Sequence, residues 1–265
     1  MRTPINSRSN EKIKLARSLL ERKGRQETGL FLAEGIRTAA SALEAGAPIE
    51  FLLYSPDLLT SDFAMGVVDR AEAAGIVCYI LPGEVFANLS GRSGPQGLAV
   101  VARQTLRPIF SLEAAAYPWP VALIAAQDPG NIGTILRSMD AAGADGLILL
   151  EGGSDPWHPS AVRASMGTVF SQTLVQAEFF EFAAWAKTGG YSVFGASSHG
   201  SVLYDEYEYT QPCVLLLGSE RTGLTPDQAA ICDALVRIPM AGKASSLNLG
   251  VAAGILLFEI KRKVG

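Results

Sequence analysis

The sequence is poor in the residues that build disulfide frameworks and metal sites. Its 265 residues include three cysteines and two histidines. The cysteines, Cys78, Cys213 and Cys232, form no CxxC pair, and an odd, widely spaced set fits neither a disulfide framework nor a zinc cage. We therefore expect a reducing, cytoplasmic environment and no bound metal. Of the histidines, His158 has the pattern of a turn residue, whereas His199 follows a predicted strand and is a candidate neighbour of a ligand.

Long apolar runs and leader-like segments are missing as well. The longest apolar stretch, residues 249–258, is shorter than the roughly 18 residues that a membrane span needs, and glycines interrupt it. The first 23 residues are charged and polar, so we expect no secretory signal and no membrane role. With 48% hydrophobic and 18% charged residues, the chain can bury a sizeable core, which excludes a disordered protein.

Charge is distributed unevenly along the chain. The formal net charge is −4 at pH 7, yet the first 26 residues carry eight Lys or Arg and two Glu, a local charge of +6. A basic segment of this kind can contact the phosphates of a nucleic acid. A solvated helix face explains the same charges, so the charge pattern leaves both interpretations open.

Apolar runs and helical patterns that end at glycines predict two α/β units. Prolines between residues 104 and 120 put the boundary there, which gives domains at 1–105 and 119–265 and a linker at 106–118. Helices are predicted over 10–23, where Gly24 ends the helix, and over 35–45, 62–74, 131–142, 160–166, 178–187 and 246–263. Strands are predicted over 30–33, 49–54, 77–81, 97–102, 121–126, 147–150, 192–196, 214–217 and 235–238. Such alternation predicts a mostly parallel sheet with a ligand site beyond the carboxyl ends of its strands.

Three glycine-containing segments of the second unit, at 128–146, 215–224 and 238–259, follow predicted strands. Loops in this position carry function, and helices that start there present unpaired N–H groups. The segments lack the GxGxxG and GxxxxGK[ST] patterns of dinucleotide and P-loop sites, and 215–224 contains no GxSxG elbow. We therefore expect neither a Rossmann nor a P-loop nucleotide site.

In order and spacing, these segments resemble the three motifs of the SpoU (TrmH) family of RNA ribose 2′-O-methyltransferases. The pattern NIGxxxR at 131–137 is similar to the first motif, GSExxGL at 218–224 to the second, and IPMxGxxxSLN at 238–248 to the third. Residues 7–37 resemble the small substrate-binding domain of ribosomal-RNA members. The resemblance thus spans nearly the whole chain.

The resemblance implies a small N-terminal α/β substrate-binding domain followed by a C-terminal α/β-knot (SPOUT) methyltransferase domain with a deep trefoil knot. It further implies S-adenosylmethionine as the cofactor, held largely by backbone groups of the second and third motifs. An adenine ring fits an apolar slot with backbone donors and acceptors, and glycines at strand ends let the backbone approach closely. If the glycines only form turns, the apolar residues belong to the core instead. The cofactor-binding residues selected in this way are Gly218, Ile238, Leu247, Leu217 and Met240.

For catalysis, the resemblance implies that Arg137 activates the ribose hydroxyl, with Asn131, Glu220, Ser246 and Asn248 orienting that arginine or the RNA. Methyl transfer by displacement depends on in-line alignment. Because the pKa of arginine exceeds about 12, we favour a role in gripping phosphate and stabilising the developing alkoxide over a role as general base. The alternatives are an ion pair of Glu220 with Arg137 or the adjacent arginine, and a helix cap at Asn248.

The expected function is S-adenosylmethionine-dependent 2′-O-methylation of a ribose in RNA, with ribosomal RNA as the preferred substrate. The alternatives are a transfer-RNA ribose 2′-O-methyltransferase and a non-catalytic RNA-binding or ribosome-assembly module. The resemblance also implies a homodimer. Candidate RNA contacts are Arg8, Lys12, Lys14, Arg25, Arg37 and Arg163.

Two positions depart from the family pattern. Ser245 stands where an acidic residue is common before the SLN triplet, and Gly250 stands where a serine is common after it. Both flank Asn248, so we expect these departures to affect the rigidity of the following helix and the polar contacts of Asn248.

Overall fold

The computed structural model describes residues 2–5, 7–90 and 94–264, which form two compact α/β units. The first unit contains the described residues of Met1–Gln104 together with Asp155–Ser171. The second contains the described residues of Thr105–Ser154 and Gln172–Gly265. The chain therefore leaves the second unit after Ser154 and returns to it at Gln172. The predicted domain limits, 1–105 and 119–265, put Asp155–Ser171 in the second domain, whereas in the structure this segment belongs to the first unit.

Helices and strands alternate through the described residues. The helices are α1 (Glu11–Ser18), α2 (Arg22–Thr28), α3 (Ile36–Glu44), α4 (Asp62–Ala73), α5 (Gly83–Ser90), α6 (Pro129–Ala142), α7 (Pro159–Ala164), α8 (Phe179–Thr188), α9 (Pro226–Ala230) and α10 (Leu249–Val264). The strands are β1 (Arg2–Pro4), β2 (Leu30–Glu34), β3 (Ile49–Tyr54), β4 (Cys78–Ile80), β5 (Leu98–Arg103), β6 (Val121–Ile124), β7 (Leu147–Leu150), β8 (Leu174–Ala177), β9 (Ser192–Ala196), β10 (Val202–Leu203), β11 (Cys213–Leu217) and β12 (Ala234–Arg237). None of the described helices is long and apolar enough to cross a membrane.

The first unit is built on a five-stranded mixed sheet in the order β1-β4-β3-β5-β2. Strand β5 pairs antiparallel with both β3 and β2, whereas β1, β4 and β3 run parallel. Apolar side chains of helices α1 and α5 pack with the sheet in one core, and Ile13, Phe86 and Val101 are fully buried there. The burial of this apolar surface is the main driving force for folding of the unit.

The basic N-terminal segment forms two helices rather than the single predicted one. The side chain of Asn10 caps α1 by accepting a hydrogen bond from the backbone N–H of Lys12 at 2.8 Å. Gly24, predicted to end the helix, lies inside α2. A Cβ at this position would lie 2.1 Å from the carbonyl oxygen of Ser18, so glycine lets α2 approach the end of α1. A glycine in this sequence position therefore marks close packing, not a helix end.

The second unit is a seven-stranded sheet in the order β10-β12-β9-β11-β6-β7-β8. Every paired strand in it is parallel, which confirms the prediction of a mostly parallel sheet. Strands β6, β7 and β11 are buried along their whole length, as their uninterrupted apolar runs indicate. The elements of this unit that the sequence prediction missed are short: β10 has two residues, β8 four and α9 five. Periodicity cannot be read from runs of that length.

Parallel pairing brings the carboxyl ends of β12, β9, β11 and β6 to one edge of this sheet, and helix α10 packs against α6. The three motif segments follow β6, β11 and β12, so they meet at this edge. The sheet topology thus assembles residues that lie more than a hundred positions apart in the chain.

Two phenylalanines of α8 provide a test of the core. Phe182 is fully buried, whereas Phe180 is 72% exposed on the same helix. We expect Phe182→Ala to lower the free energy of unfolding by about 3–5 kcal/mol, because it leaves a cavity among packed rings. The matched control Phe180→Ala should change it by less than about 0.5 kcal/mol. Urea denaturation followed by tryptophan fluorescence measures both, and equal effects of the two substitutions would contradict this packing.

Candidate active site

A chain of three side chains links the motif segments. The Nδ2 of Asn131 donates a hydrogen bond to Glu220 Oε1 at 3.1 Å, and the Nδ2 of Asn248 donates to Asn131 Oδ1 at 2.9 Å. Asn131 is buried in the first turn of α6, Glu220 follows β11, and Asn248 precedes α10. An amide both donates and accepts, so Asn131 can satisfy its two neighbours at once. One residue from each motif thus belongs to a single network.

Glu220 is held by the backbone of the loop that follows β6. Its carboxylate accepts hydrogen bonds from the backbone N–H of Gln127 at 3.0 and 3.2 Å and of Asp128 at 3.3 Å, besides the one from Asn131. Partial burial acts to raise the pKa of Glu220, but these hydrogen bonds outweigh it, and the net pKa lies below the ordinary 4.5. Within the described residues Glu220 makes no ion pair with Arg137 or Arg221, so that alternative is wrong.

Asn248 is the N-cap of α10. Its Oδ1 accepts from the backbone N–H of Gly250 at 2.9 Å and of Val251 at 3.3 Å, so the helix begins at Leu249, three residues after the predicted Ser246. The capping alternative is therefore confirmed, and the same side chain also bonds to Asn131. A Cβ at Gly250 would lie 3.0 Å from Thr134 Cγ2, so this departure from the family pattern coincides with the close approach of α10 to α6.

The loop after β11 is shaped by its first glycine. A Cβ at Gly218 would lie 2.2 Å from the backbone carbon of Gly223, closer than any real contact, so the loop can fold back only with glycine here. Gly223 adopts a positive φ of 65° and donates its N–H to the carbonyl of Ser219 at 2.9 Å. The Ser219 and Thr222 hydroxyls lie 2.7 Å apart. The loop that carries Glu220 is therefore rigidly braced.

A cavity of about 590 Å³ opens at this edge of the sheet, within the usual range for small-molecule sites. Its lining combines apolar side chains with loop backbone and hydroxyl groups, and it includes His199. All five predicted cofactor-binding residues line the cavity, as do three of the predicted catalytic residues, Glu220, Ser246 and Asn248. Further lining residues that the sequence interpretation did not select include Ser197, Ser198 and Thr222. Their position after a strand is the signal that could have found them.

Arg137 and Asn131 lie outside the cavity lining. Arg137 lies six residues after Asn131 on α6 and is exposed. Its side chain makes no hydrogen bond or ion pair with any residue that the structure describes. A guanidinium without internal partners keeps its donors available for an external anion.

The six candidate RNA contacts have different environments in the first unit. Lys14, Arg37 and Arg163 are exposed, and Arg8 is exposed with Glu84 3.8 Å away. The Nζ of Lys12 lies 5.1 Å from the centre of the Phe51 ring, a cation–π distance. Four of the six are thus exposed to solvent, and their contact with RNA stays a prediction.

Arg25 does not fit the prediction that it contacts RNA. Its side chain is 1% exposed, and its Nε donates to Asp155 Oδ2 at 2.7 Å. Its Nη1 donates to the carbonyl oxygens of Leu19 and Leu20 at 2.8 and 3.0 Å. A guanidinium enclosed in this way cannot reach a phosphate. The sequence prediction grouped Arg25 with its exposed basic neighbours, because a count of charges does not show which side chains are buried.

The described residues contain no group of three or more His, Cys, Asp or Glu side chains placed to hold a metal ion. Burial raises the pKa of Cys213 to about 12, and burial with the nearby Asp233 raises that of Cys232 to about 11. Both thiols are therefore protonated at neutral pH and are poor nucleophiles.

An α/β unit with a parallel sheet and a cavity built from strand-end loops is typical of a small-molecule-binding enzyme domain. Comparison with family models specifies it further. Residues 119–258 match the SpoU rRNA Methylase family, and residues 10–100 match the MRM3-like substrate binding domain. The chain belongs to the SpoU rRNA methylase family, which confirms the resemblance carried by the three motifs.

Two characterised relatives extend over most of the chain. It is 30% identical over 259 residues to the 23S rRNA (guanosine(2553)-2'-O)-methyltransferase RlmP of Bacillus subtilis, covering 97% of this chain and 98% of the relative. It is 32% identical over 248 residues to the 23S rRNA (uridine(2479)-2'-O)-methyltransferase of Streptomyces viridochromogenes, covering 91% and 86%. Both relatives act on ribosomal RNA, on different nucleosides.

Solved structures show the same fold with a cofactor. The AdoMet-bound rRNA methyltransferase from Sinorhizobium meliloti superimposes with a TM-score of 0.89 at 36% identity, covering 98% of both chains. The SpoU methyltransferase AviRb from Streptomyces viridochromogenes, in complex with AdoMet, gives 0.85 at 30% identity, covering 96% of this chain and 98% of that one. The SPOUT fold class predicted for this chain is thereby confirmed, and the trefoil knot stays a prediction.

The Glu220 network predicts an acid-dependent loss of stability. Because folding lowers the pKa of Glu220, its contribution is present above about pH 4.5 and is lost as pH falls through the folded pKa. The free energy of unfolding of the wild type should therefore fall below about pH 4.5 more steeply than that of Glu220→Gln. Urea denaturation at a series of pH values from about 3 to 7 measures this difference. Parallel pH profiles for the two proteins would contradict it.

Proposed function

We propose that this protein transfers a methyl group from S-adenosylmethionine to the 2′-hydroxyl of a ribose in 23S ribosomal RNA. The observation that carries the proposal is the hydrogen-bonded chain Glu220–Asn131–Asn248, which joins the three family motifs beside a cavity of cofactor size. The activities named for the two 23S rRNA relatives support the choice of reaction and RNA.

The residues that line the cavity fit S-adenosylmethionine. Leu217, Ile238, Met240 and Leu247 offer an apolar surface for an adenine ring, and the close backbone approach at Gly218 leaves loop backbone facing the cavity. When bound, the cofactor supplies an electrophilic methyl group on a sulfonium. The residues of the chain align the reactants and keep the loops in place. Alignment of this kind accelerates a displacement reaction because the reactants are already held in the reactive geometry.

Arg137 is proposed to grip the RNA phosphate beside the target ribose and to stabilise negative charge on the attacking oxygen. Its exposed and unpaired guanidinium supports this role, since no internal carboxylate in the described part of the chain competes for it. Asn131, Glu220, Ser246 and Asn248 are proposed to orient the loops and the RNA. The four exposed candidates of the first unit, Arg8, Lys14, Arg37 and Arg163, are proposed to contact the RNA backbone.

We further propose that the protein acts as a homodimer in the cytoplasm and that its chain forms the family's trefoil knot. Val251 and Phe258 are seven residues apart on α10, which puts them on one face, and they are 50% and 53% exposed. Exposed apolar side chains in a row support a subunit contact on that face.

Replacement of Arg137 tests the proposed reaction. We expect Arg137→Ala to lower kcat for methyl transfer to 23S rRNA by about 10²–10³, because one preorganised donor is removed. Its dissociation constant for S-adenosylmethionine should change by less than about twofold. Transfer of labelled methyl to unmodified 23S rRNA measures the first, and isothermal titration calorimetry the second. Resistance of the product to alkaline cleavage identifies the 2′-O-methyl ribose.

Matched variants sharpen this test. Arg137→Lys keeps the charge but not the planar donor fork and should recover only part of the activity. The control Lys187→Ala removes an exposed cation in the last turn of α8 and should have wild-type activity.

The alternative functions give different outcomes. Methyl transfer to transfer RNA alone would reassign the substrate. Cofactor binding without transfer to naked RNA calls for a ribosomal precursor as substrate, and absence of cofactor binding would favour a non-catalytic RNA-binding module.

The dimer proposal predicts that charge on the exposed face of α10 separates the subunits. We expect Phe258→Glu to convert a dimer into a monomer in sedimentation velocity experiments, because an ionised carboxylate would be buried in an apolar contact. The control Phe180→Glu changes a phenylalanine on α8 that is more exposed, at 72% against 53% for Phe258, and should leave the dimer intact. A monomeric wild type would refute the proposal.

A further inference from the structure

The segment Asp155–Ser171, here called the inserted segment, connects two neighbouring strands of the second unit but packs in the first. Parallel neighbours such as β7 and β8 need a crossover, and its helix normally covers their own sheet. Here the crossover helix α7 contacts β2 of the first unit instead. The part of the sequence that carries the methylase motifs thus contributes a piece of the other unit.

An ion pair between buried Arg25 and partly buried Asp155 fixes the start of the inserted segment. Asp155 Oδ2 accepts the 2.7 Å hydrogen bond from Arg25, and Asp155 Oδ1 accepts one from the backbone N–H of Trp157 at 2.8 Å. The Nη1 of Arg25 is held by two backbone carbonyls of the turn after α1. Both partners are therefore anchored, and the direction in which the segment leaves the pair is determined.

Two aromatic contacts and one glycine fix the rest of the segment. The ring of Phe31 on β2 lies 6.3 Å from that of Trp157 and 5.5 Å from that of Phe170, between centroids, so both ends of the segment meet the same side chain. A Cβ at Gly167 would lie 2.6 Å from Ser41 Oγ of α3. The backbone of the segment therefore lies directly against α3, which carries Arg37 in its first turn.

The turn at the end of α7 presents a cation. Arg163 is exposed, and no described residue forms an ion pair or hydrogen bond with its side chain. Buried Ser165 braces the turn by donating to the carbonyl of Val162 at 2.7 Å, and exposed Met166 adopts a φ of 54°, which residues other than glycine rarely do. A fixed backbone and an unpaired guanidinium, with Arg37 on the neighbouring helix, form a surface suited to a phosphate backbone.

We propose that the inserted segment is an RNA-contacting element of the first unit, in which Arg163 contacts a backbone phosphate. Arg25 and Asp155 are positioning residues: they never touch the RNA but hold the segment so that Arg163 can. The inference rests on the proposed function, because it takes RNA as the ligand. It predicts that Arg25 affects RNA affinity although its side chain is buried.

A double-mutant cycle on RNA affinity tests this inference. The probe is an unmodified 23S rRNA transcript, and its dissociation constant is measured by filter binding at several salt concentrations. We expect Arg163→Ala to weaken binding about 3–10-fold and to reduce the slope of log affinity against log salt by about 0.7–0.9, as for one lost phosphate contact. Arg25→Lys should weaken binding to a similar extent in the wild-type background but by less than about 1.5-fold in the Arg163→Ala background.

Two further variants keep the test decisive. Asp155→Asn removes the negative charge of the ion pair with Arg25. It should be non-additive with Arg163→Ala in the same way as Arg25→Lys, and it takes the place of Arg25→Lys if that variant does not fold. Arg70→Ala removes an exposed arginine of the first unit that pairs with Glu44, and it should leave affinity and salt slope unchanged. The affinity of every variant for S-adenosylmethionine should stay within about twofold of the wild type, which separates a local change from general unfolding.

Each outcome has a defined meaning. An unchanged affinity and slope in Arg163→Ala overturns the inference, and so do additive effects of Arg25→Lys and Arg163→Ala. A wild type that does not bind the transcript overturns it as well. If the wild type binds the RNA with the predicted coupling but transfers no methyl group, the proposed function fails while this inference stands, because binding is measured without turnover.

Discussion

The side-chain amide of Asn131 is the interaction on which the rest of the site depends. It donates to Glu220 and accepts from Asn248, and a neutral amide can do both in one place. Through it, the start of α6, the loop after β11 and the cap of α10 share one set of hydrogen bonds. Loss of either partner would leave a buried polar group unsatisfied, which costs more than the hydrogen bond itself contributes. The hydrogen bond from Asn131, together with those from the backbone, also lowers the pKa of Glu220 against the opposing effect of burial.

Around this network, the second unit separates two kinds of surface. The cavity beyond β9, β11 and β12 combines apolar side chains with braced loop backbone. Arg137 lies outside it on α6, without internal partners. An enclosed slot favours a small, partly apolar ligand, whereas a free guanidinium favours an anion from solution. A Cβ at Gly218 would overlap the backbone of Gly223, whereas a Cβ at Gly250 would only press on the side chain of Thr134.

In the basic N-terminal run, neighbouring cations have opposite environments. Arg25 is enclosed by a carboxylate and two carbonyls, while Arg22 and Lys23 face solvent. A basic run in sequence therefore mixes structural and surface charges. The inserted segment adds to this, because Asp155 supplies the partner of Arg25 from 130 residues away. Burying an arginine requires such a partner, since an unpaired charge in the interior is strongly unfavourable.

The sequence alone determined the α/β class, the long helices and strands, and the three segments that meet at the strand ends, because apolar periodicity and strand-end glycines are local signals. It also identified Glu220, Asn131 and Asn248 as candidates, through the motifs. Only the tertiary structure decided that these three side chains bond to one another, that Gly24 lies inside a helix, and that Asp155–Ser171 packs in the first unit. Periodicity reports which face of an element is buried, whereas the choice of partner depends on contacts between residues far apart in the chain, which no local pattern encodes.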